Sequence, residues 1–337
     1  MTAADEATEK LRARRRARWR SLAIFLAGVV AIDLAASHFV ARPLGIIRRS
    51  SDPDVVYENT PGDFWGRATY DVWKAPLYMI WDLARGSPAR PRRDAVLYRI
   101  DRDGCRVPSE ASPAATAEVL MVGSSQAFGM LLPAESSVPV MLERSLRERG
   151  FGGVRVANCS VVGHRLLQTL KMVRRERPVK RPRLAVVLVR PWHMTEPFPY
   201  IEVMSPRNGV LNWLIHRSTL VRLGYYYTWH DSPQPRPLSR AALDAGLDAY
   251  VRDLGEVRSE FFLLDDGQPE CEVFDGLTEA LRARGLGVHR IQTPSGPREM
   301  FIDADRHWSV RGGRYTTAQL LDPVASALDA VGVARAP

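Results

Sequence analysis

The run Leu184-Ala-Val-Val-Leu-Val189 carries no polar residue on either face. A strand covering one side of a core alternates apolar and polar side chains, whereas an unbroken apolar run is a strand buried on both faces, as parallel sheets require. Helices must then cover both sides of it, so the chain is predicted to be α/β.

The flanking sequence alternates in the same sense. Val119 to Val122 is a short apolar run that stops at Gly123-Ser124-Ser125 and passes into a loop and helix between residues 127 and 146. Residues 154–158 read as a second strand ending in Cys159 to Gly163, followed by a helix pattern over 164–175. Residues 260–264 and 288–291 are the fourth and fifth strands, with a helix around 273–284 between them and a last helix over about 309–331. Strand and helix alternating at this pitch predict βαβ units with right-handed crossovers, hence a three-layer α/β/α sandwich around a central parallel, flavodoxin-like sheet. This body is expected to occupy residues 117–337, with an aromatic insert at about 200–238 read as a lid, a partner surface or simple packing. Ahead of it, residues 97–106 read as a short strand and a turn, and residues 51–92 hold an aromatic stripe at near-helical spacing (Tyr70, Trp73, Leu77, Trp81).

The formal charge of +9 invites a nucleic-acid reading, but Lys10, Arg12, Arg14, Arg15, Arg16, Arg18 and Arg20 concentrate the excess in one N-terminal block, and no nucleic-acid partner is expected. The block precedes residues 22–40, apolar apart from Asp33, Ser37 and His38, and about 20 such residues span a bilayer as a helix. The organisation expected is a basic cytoplasmic tail over 1–20, a transmembrane anchor over 21–41 and an aromatic linker region over 42–116. The arginine excess before the span keeps the N-terminus inside, which puts the body outside the inner membrane. A cleaved signal peptide is the competing reading and exports the body equally. Cys105, Cys159 and Cys271 show no metal-ligand spacing, and their odd number leaves at least one unpaired in a monomer, so no disulfide framework is implied.

In open α/β sheets ligands bind beyond the carboxyl ends of the strands. Here those ends are Ser125, Asn158 to Gly163, Arg190 to Met194 and Asp265-Asp266, and the loop 301–309 opening the last helix can reach the same rim. A serine in the first of these turns is either a nucleophile or an ordinary helix cap.

Taken together these residues resemble the SGNH hydrolases, the GDSL esterase/lipase superfamily, over about residues 95–331. VGSSQAFG is similar to that family's first block, with Gly123, Ser125 and Gly129 matching and Ser124 replacing its aspartate. VANCSVVG is similar to the second, with Gly163 in the oxyanion-hole position. IDRDGCR is similar to the asparagine-x-x-glycine-x-arginine segment that precedes the first block, with Asp101 in place of the asparagine. Two departures stand out. The third block should end in an oxyanion-donating asparagine, but the chain offers Arg190, Trp192 and His193; the last block is usually Asp-x-x-His, but residue 304 is alanine. Asp305-Arg306-His307-Trp308 instead resembles the Asp-x-His-Trp signature of SGNH-like O-acetyltransferases that decorate exported polysaccharides.

The resemblance implies a catalytic triad of Ser125, His307 and Asp305, with Asp303 as the other possible orienter of the imidazole. It implies an oxyanion hole from the backbone N–H groups of Ser125 and Gly163, with His193 or Trp192 as accessory replacements for the asparagine. It calls for no metal or organic cofactor. The implied function is a membrane-anchored extracytoplasmic serine esterase or O-acyltransferase acting on O-acyl (acetyl) groups of a cell-envelope polysaccharide, with an acylated carbohydrate or acyl donor as substrate and a multipass membrane acyltransferase as a possible partner. The alternative is a catalytically degenerate SGNH-like scaffold of such an acyltransferase or of an export complex.

Overall fold

The computed structural model describes residues 19–21, 24–25, 27–32, 47–49, 57–59, 61–67, 95–108, 119–196, 236–265, 269–293, 298–301 and 307–335. The chain divides into two compact units, residues 1–42 with 201–232, and residues 43–200 with 233–337. In the first, the described residues 19–21, 24–25 and 27–32 are helical and exposed, among them Trp19, Ile24, Phe25, Val30 and Ile32. No helix among the described residues is long and apolar enough to cross a membrane. Most of the expected span, the aromatic stripe at 70–81 and most of the insert at 200–238 lie outside the described residues.

The second unit holds an eight-stranded sheet in the order β10-β9-β8-β6-β7-β5-β4-β3. Its strands are β3 (Gly62–Arg67), β4 (Ala95–Ile100), β5 (Arg106–Val107), β6 (Val119–Val122), β7 (Val156–Asn158), β8 (Leu184–Val189), β9 (Arg258–Asp265) and β10 (Gly287–Gln292). The five from β6 to β10 run parallel as expected. The sheet as a whole is mixed, because β5, β4 and β3 add antiparallel to the β7 edge. Those three strands come from the region read as a linker, so the fold draws on residues well before 117. A separate antiparallel pair joins β1 (Ile47–Arg49) to β2 (Tyr57–Asn59).

All six side chains of β8 are buried, as a strand covered on both faces must be. Side chains alternate faces along a strand. Val119, Met121, Leu184, Val186, Leu188 and Phe262 share one core with the helices α2 (Val138–Glu148) and α6 (Val310–Ala330). Phe261 points to the other face, where it meets the Tyr250 ring edge-on at 5.8 Å. Tyr250 belongs to α4 (Arg240–Leu254), which packs on α3 (Leu166–Lys180). These two faces make the three layers; the same unit also holds the single turn α1 (Ser125–Phe128) and α5 (Val273–Arg282) beside β10. The pattern read from the sequence assigns no helix at α4, yet Leu243, Leu247, Tyr250 and Leu254 form its buried stripe and the Ser239 hydroxyl caps it by accepting from the Ala242 N–H at 3.2 Å.

Candidate active site

Strand β6 is followed by Gly123, where only glycine fits: a Cβ would stand 2.7 Å from the Cβ of Ala127 and 3.3 Å from that of Leu188. The chain then turns into α1, whose first residue is Ser125. Gly129 closes that helix in the left-handed region at φ +77°, and a Cβ there would meet Ser137 at 2.6 Å and the Arg106 guanidinium at 3.0 Å. Both glycines that match the first block therefore have steric reasons to be glycine.

Arg106 fastens the segment that follows. It is 3% exposed, donates to the carbonyls of Phe128 at 2.9 Å, Gly129 at 2.6 Å and Leu132 at 2.6 Å, and lies over the rings of Tyr98 and Phe128. Burial pushes its pKa down to about 10, which leaves it charged at neutral pH. Tyr98 adds its hydroxyl, which accepts from the N–H of Leu131, a residue held at φ 68°. The turn that delivers Arg106 is organised by Asp101: one carboxylate oxygen accepts from the N–H groups of Asp103 and Cys105 at 3.0 and 2.8 Å, and the other pairs with Lys180 at 2.8 Å. A carboxylate in the asparagine position thus keeps the turn and gains an ion pair.

The second block is laid against the first by the sheet. The N–H groups of Cys159 and Val161 donate to the carbonyls of Met121 and Gly123 at 3.0 and 3.2 Å, two residues before Gly163, which sits at φ +84°. Cys105 and Cys159 form a disulfide, and Cys271 is buried and belongs to no disulfide. This corrects the reading of the cysteines: one bridge ties the Arg106 turn to the Gly163 loop, a pairing that depends on β5 lying beside β7. Asn59, 1% exposed, stitches the same two loops by donating to the carbonyls of Gly104 and Ser160 at 2.7 and 3.0 Å. Nothing in its local sequence marks it.

The third strand end carries a short turn, Pro191–Met194. Arg165, two residues after Gly163, donates to the Trp192 carbonyl at 2.9 Å and stacks its guanidinium over the Trp192 ring at 4.3 Å. His193 is buried; its Nδ1 accepts the Arg190 N–H at 3.1 Å and its Nε2 lies 2.8 Å from the Ser124 hydroxyl. Burial, reinforced by the positive charges of Arg190 and Arg165 and by His164, holds the imidazole pKa well below its usual range. The ring is therefore neutral, and because Nδ1 accepts, Nε2 carries the proton.

Ser124 occupies the cap position of α1 but makes no cap bond through its side chain. Its hydroxyl and that of Ser125 instead share one acceptor, the Gln126 side-chain oxygen, at 3.2 and 3.3 Å. Ser125 is 6% exposed. His307 is 7% exposed and is followed by Trp308, which bridges Phe301, and by Ser309, which caps α6 by accepting from the Gly312 N–H at 3.1 Å. Asp303 and Asp305 lie outside the described residues. Among the described residues, Ser124 and His193 make a serine–histidine contact, a pairing across 69 residues that no spacing in the sequence signals.

No family model and no curated protein matches the chain. Similar solved structures include TesA, at 16% identity and TM-score 0.39, covering 63% of this chain and 98% of that one. A lipase/acylhydrolase from Enterococcus faecalis is similar at 14% identity and TM-score 0.40, covering 63% and 96%. A catalytic mutant of Axe2, an acetylxylan esterase from Geobacillus stearothermophilus, is similar at 13% identity and TM-score 0.36, covering 67% and 100%.

Proposed function

We propose that this chain is a serine esterase or O-acyltransferase of the SGNH hydrolase type, with Ser125 as its nucleophile. The observation that carries the reading is the construction around Ser125: it opens a helical turn at the carboxyl end of a buried parallel strand, Arg106 fastens the residues after it, and the Gly163 loop is bonded to the Gly123 carbonyl just before it. In this reading His307 takes the Ser125 proton as Oγ attacks an ester carbonyl, and Asp305 holds the imidazole in the tautomer that can accept it. The N–H groups of Ser125 and Gly163 stabilise the oxyanion. The alcohol leaves with the proton from His307, and water or a sugar hydroxyl then takes the acyl group from Ser125.

The setting proposed is extracytoplasmic, with residues 22–40 as the anchor. The arginine asymmetry around the span supports it, and so does the Cys105–Cys159 bridge, since disulfides persist in oxidising compartments. The proposed substrate class is an O-acylated envelope polysaccharide, the acyl group acetyl, on the likeness of Asp305 to Trp308 to the O-acetyltransferase signature.

The test is labelling of the folded full-length protein with a fluorophosphonate, which reacts with activated serines. Labelling maps to Ser125, Ser125→Ala abolishes it, and His307→Ala lowers it at least about 1000-fold. A folded protein that neither labels nor turns over a small activated acetyl ester, alone or with a membrane acyltransferase, is the non-catalytic scaffold instead.

A further inference from the structure

The two departures from the family pattern in the first and third blocks touch each other. Ser124 stands where aspartate is expected, His193 belongs to the turn where asparagine is expected, and their side chains meet at 2.8 Å with both residues at or below 2% exposure. The direction of every bond in the chain is set. The Arg190 N–H can only donate, so His193 Nδ1 accepts and Nε2–H donates to the Ser124 oxygen. The Ser124 proton then goes to the Gln126 side-chain oxygen at 3.2 Å, and the Ser125 proton goes to the same oxygen at 3.3 Å. The two lone pairs of that oxygen are used by the two adjacent serines.

We propose that His193, Ser124 and Gln126 are one positioning unit for the nucleophile: His193, acting through Ser124 and Gln126, holds the first-block turn and the resting direction of the Ser125 hydroxyl, in place of the missing aspartate and asparagine. The inference rests on the esterase reading. It also assigns the short serine–histidine contact a role other than catalysis. His193 is no base toward Ser124, because its accepting nitrogen is turned away onto the backbone of Arg190. Among the described residues, the groups facing it are Arg190 from its own turn, His164 and Arg165 just before α3, the edge of Trp192 and the Ser124 hydroxyl. None is a carboxylate, so nothing among them favours an imidazolium.

The experiment is steady-state hydrolysis of p-nitrophenyl acetate, with fluorophosphonate labelling, by the full-length protein in detergent. His193→Phe keeps a ring and removes the donor; it lowers kcat about tenfold or more while KM stays within about threefold, the consequence of leaving a buried hydroxyl without its donor. His193→Gln, whose amide N–H falls near the position of Nε2, recovers most of that loss and leaves the midpoint of the acid limb of kcat/KM where the wild type has it. Ser124→Ala lowers kcat as well, and the double variant Ser124→Ala/His193→Phe is no slower than the slower single variant, because both break the same bond. Full multiplication of the two losses, wild-type kcat in His193→Phe, a displaced acid midpoint in His193→Gln, or label found on Ser124 each overturns the proposal. If His193→Phe does not fold, the same comparison is made with Ser124→Ala and His193→Leu, which are expected not to multiply. A wild type that labels at Ser125 while His193→Phe labels equally fast sinks only this inference; a wild type that does not label at all sinks the esterase reading beneath it.

Discussion

Replacing Arg106 by leucine tests whether the segment after Ser125 is held from outside the α1 turn. The three hydrogen bonds from a charged donor to the carbonyls of Phe128, Gly129 and Leu132 are each worth about 1.5–3 kcal/mol. Against them stands the cost of keeping the guanidinium charged in a buried site, about 3 kcal/mol from a pKa lowered from 12.5 to about 10, a cost present at every pH below that value. The net loss for Arg106→Leu is therefore about 3 kcal/mol, softened by the apolar side chain that packs beside the Tyr98 and Phe128 rings. Lysine is no remedy, because an ammonium cannot serve three carbonyls in one plane or stack on the rings. Urea denaturation of the two proteins at pH 7.5 measures the stability change, and the rate of fluorophosphonate labelling at 20 °C, where both are folded, measures the effect on Ser125. A variant as stable as the wild type that labels at the wild-type rate would refute the clamp, since the three carbonyls would then have been satisfied without it.

Closing a separation of 54 residues, the Cys105–Cys159 bridge is worth about 4 kcal/mol in the chain-entropy account, so reductant or Cys159→Ser should lower the unfolding free energy from urea denaturation by that amount, and an unchanged midpoint after confirmed reduction would contradict it. Glu176 is buried beside that bridge, and burial raises its pKa to about 7 against the opposing charges of Arg175 and Lys180. Because the folded value lies above the ordinary 4.5, the stability gained from the protonated acid is present below pH 4.5 and lost as pH rises through 7, about 3 kcal/mol in all; Glu176→Gln should remove that slope between pH 5 and 8, and parallel curves for the two proteins would rule the assignment out. A periplasmic reporter fused after residue 45 should be active only outside the cytoplasm, and cytoplasmic activity would reverse the proposed topology.

Local pattern alone was enough to determine the parallel half of the fold. The apolar run at 184–189 coincides with β8 and Val119 to Val122 with β6, because burial on both faces leaves an unbroken signature in neighbouring residues. The glycines at 123 and 129 were legible as a match to the family's first block, although the contacts that require them reach as far as Leu188 and Arg106. Antiparallel β3, β4 and β5 were not legible as part of that sheet: β5 is two residues long, and what makes it a strand is its pairing with β4 and β7. The partners of the serines were decided by tertiary structure alone. Strand order puts the turn after β8 beside the turn after β6, and only then does His193 reach Ser124, Cys105 reach Cys159 and Arg106 reach the carbonyls beyond α1. Such contacts join residues far apart in sequence through side-chain directions that no periodicity encodes, so the sequence could nominate serines and histidines but not say which of them meet.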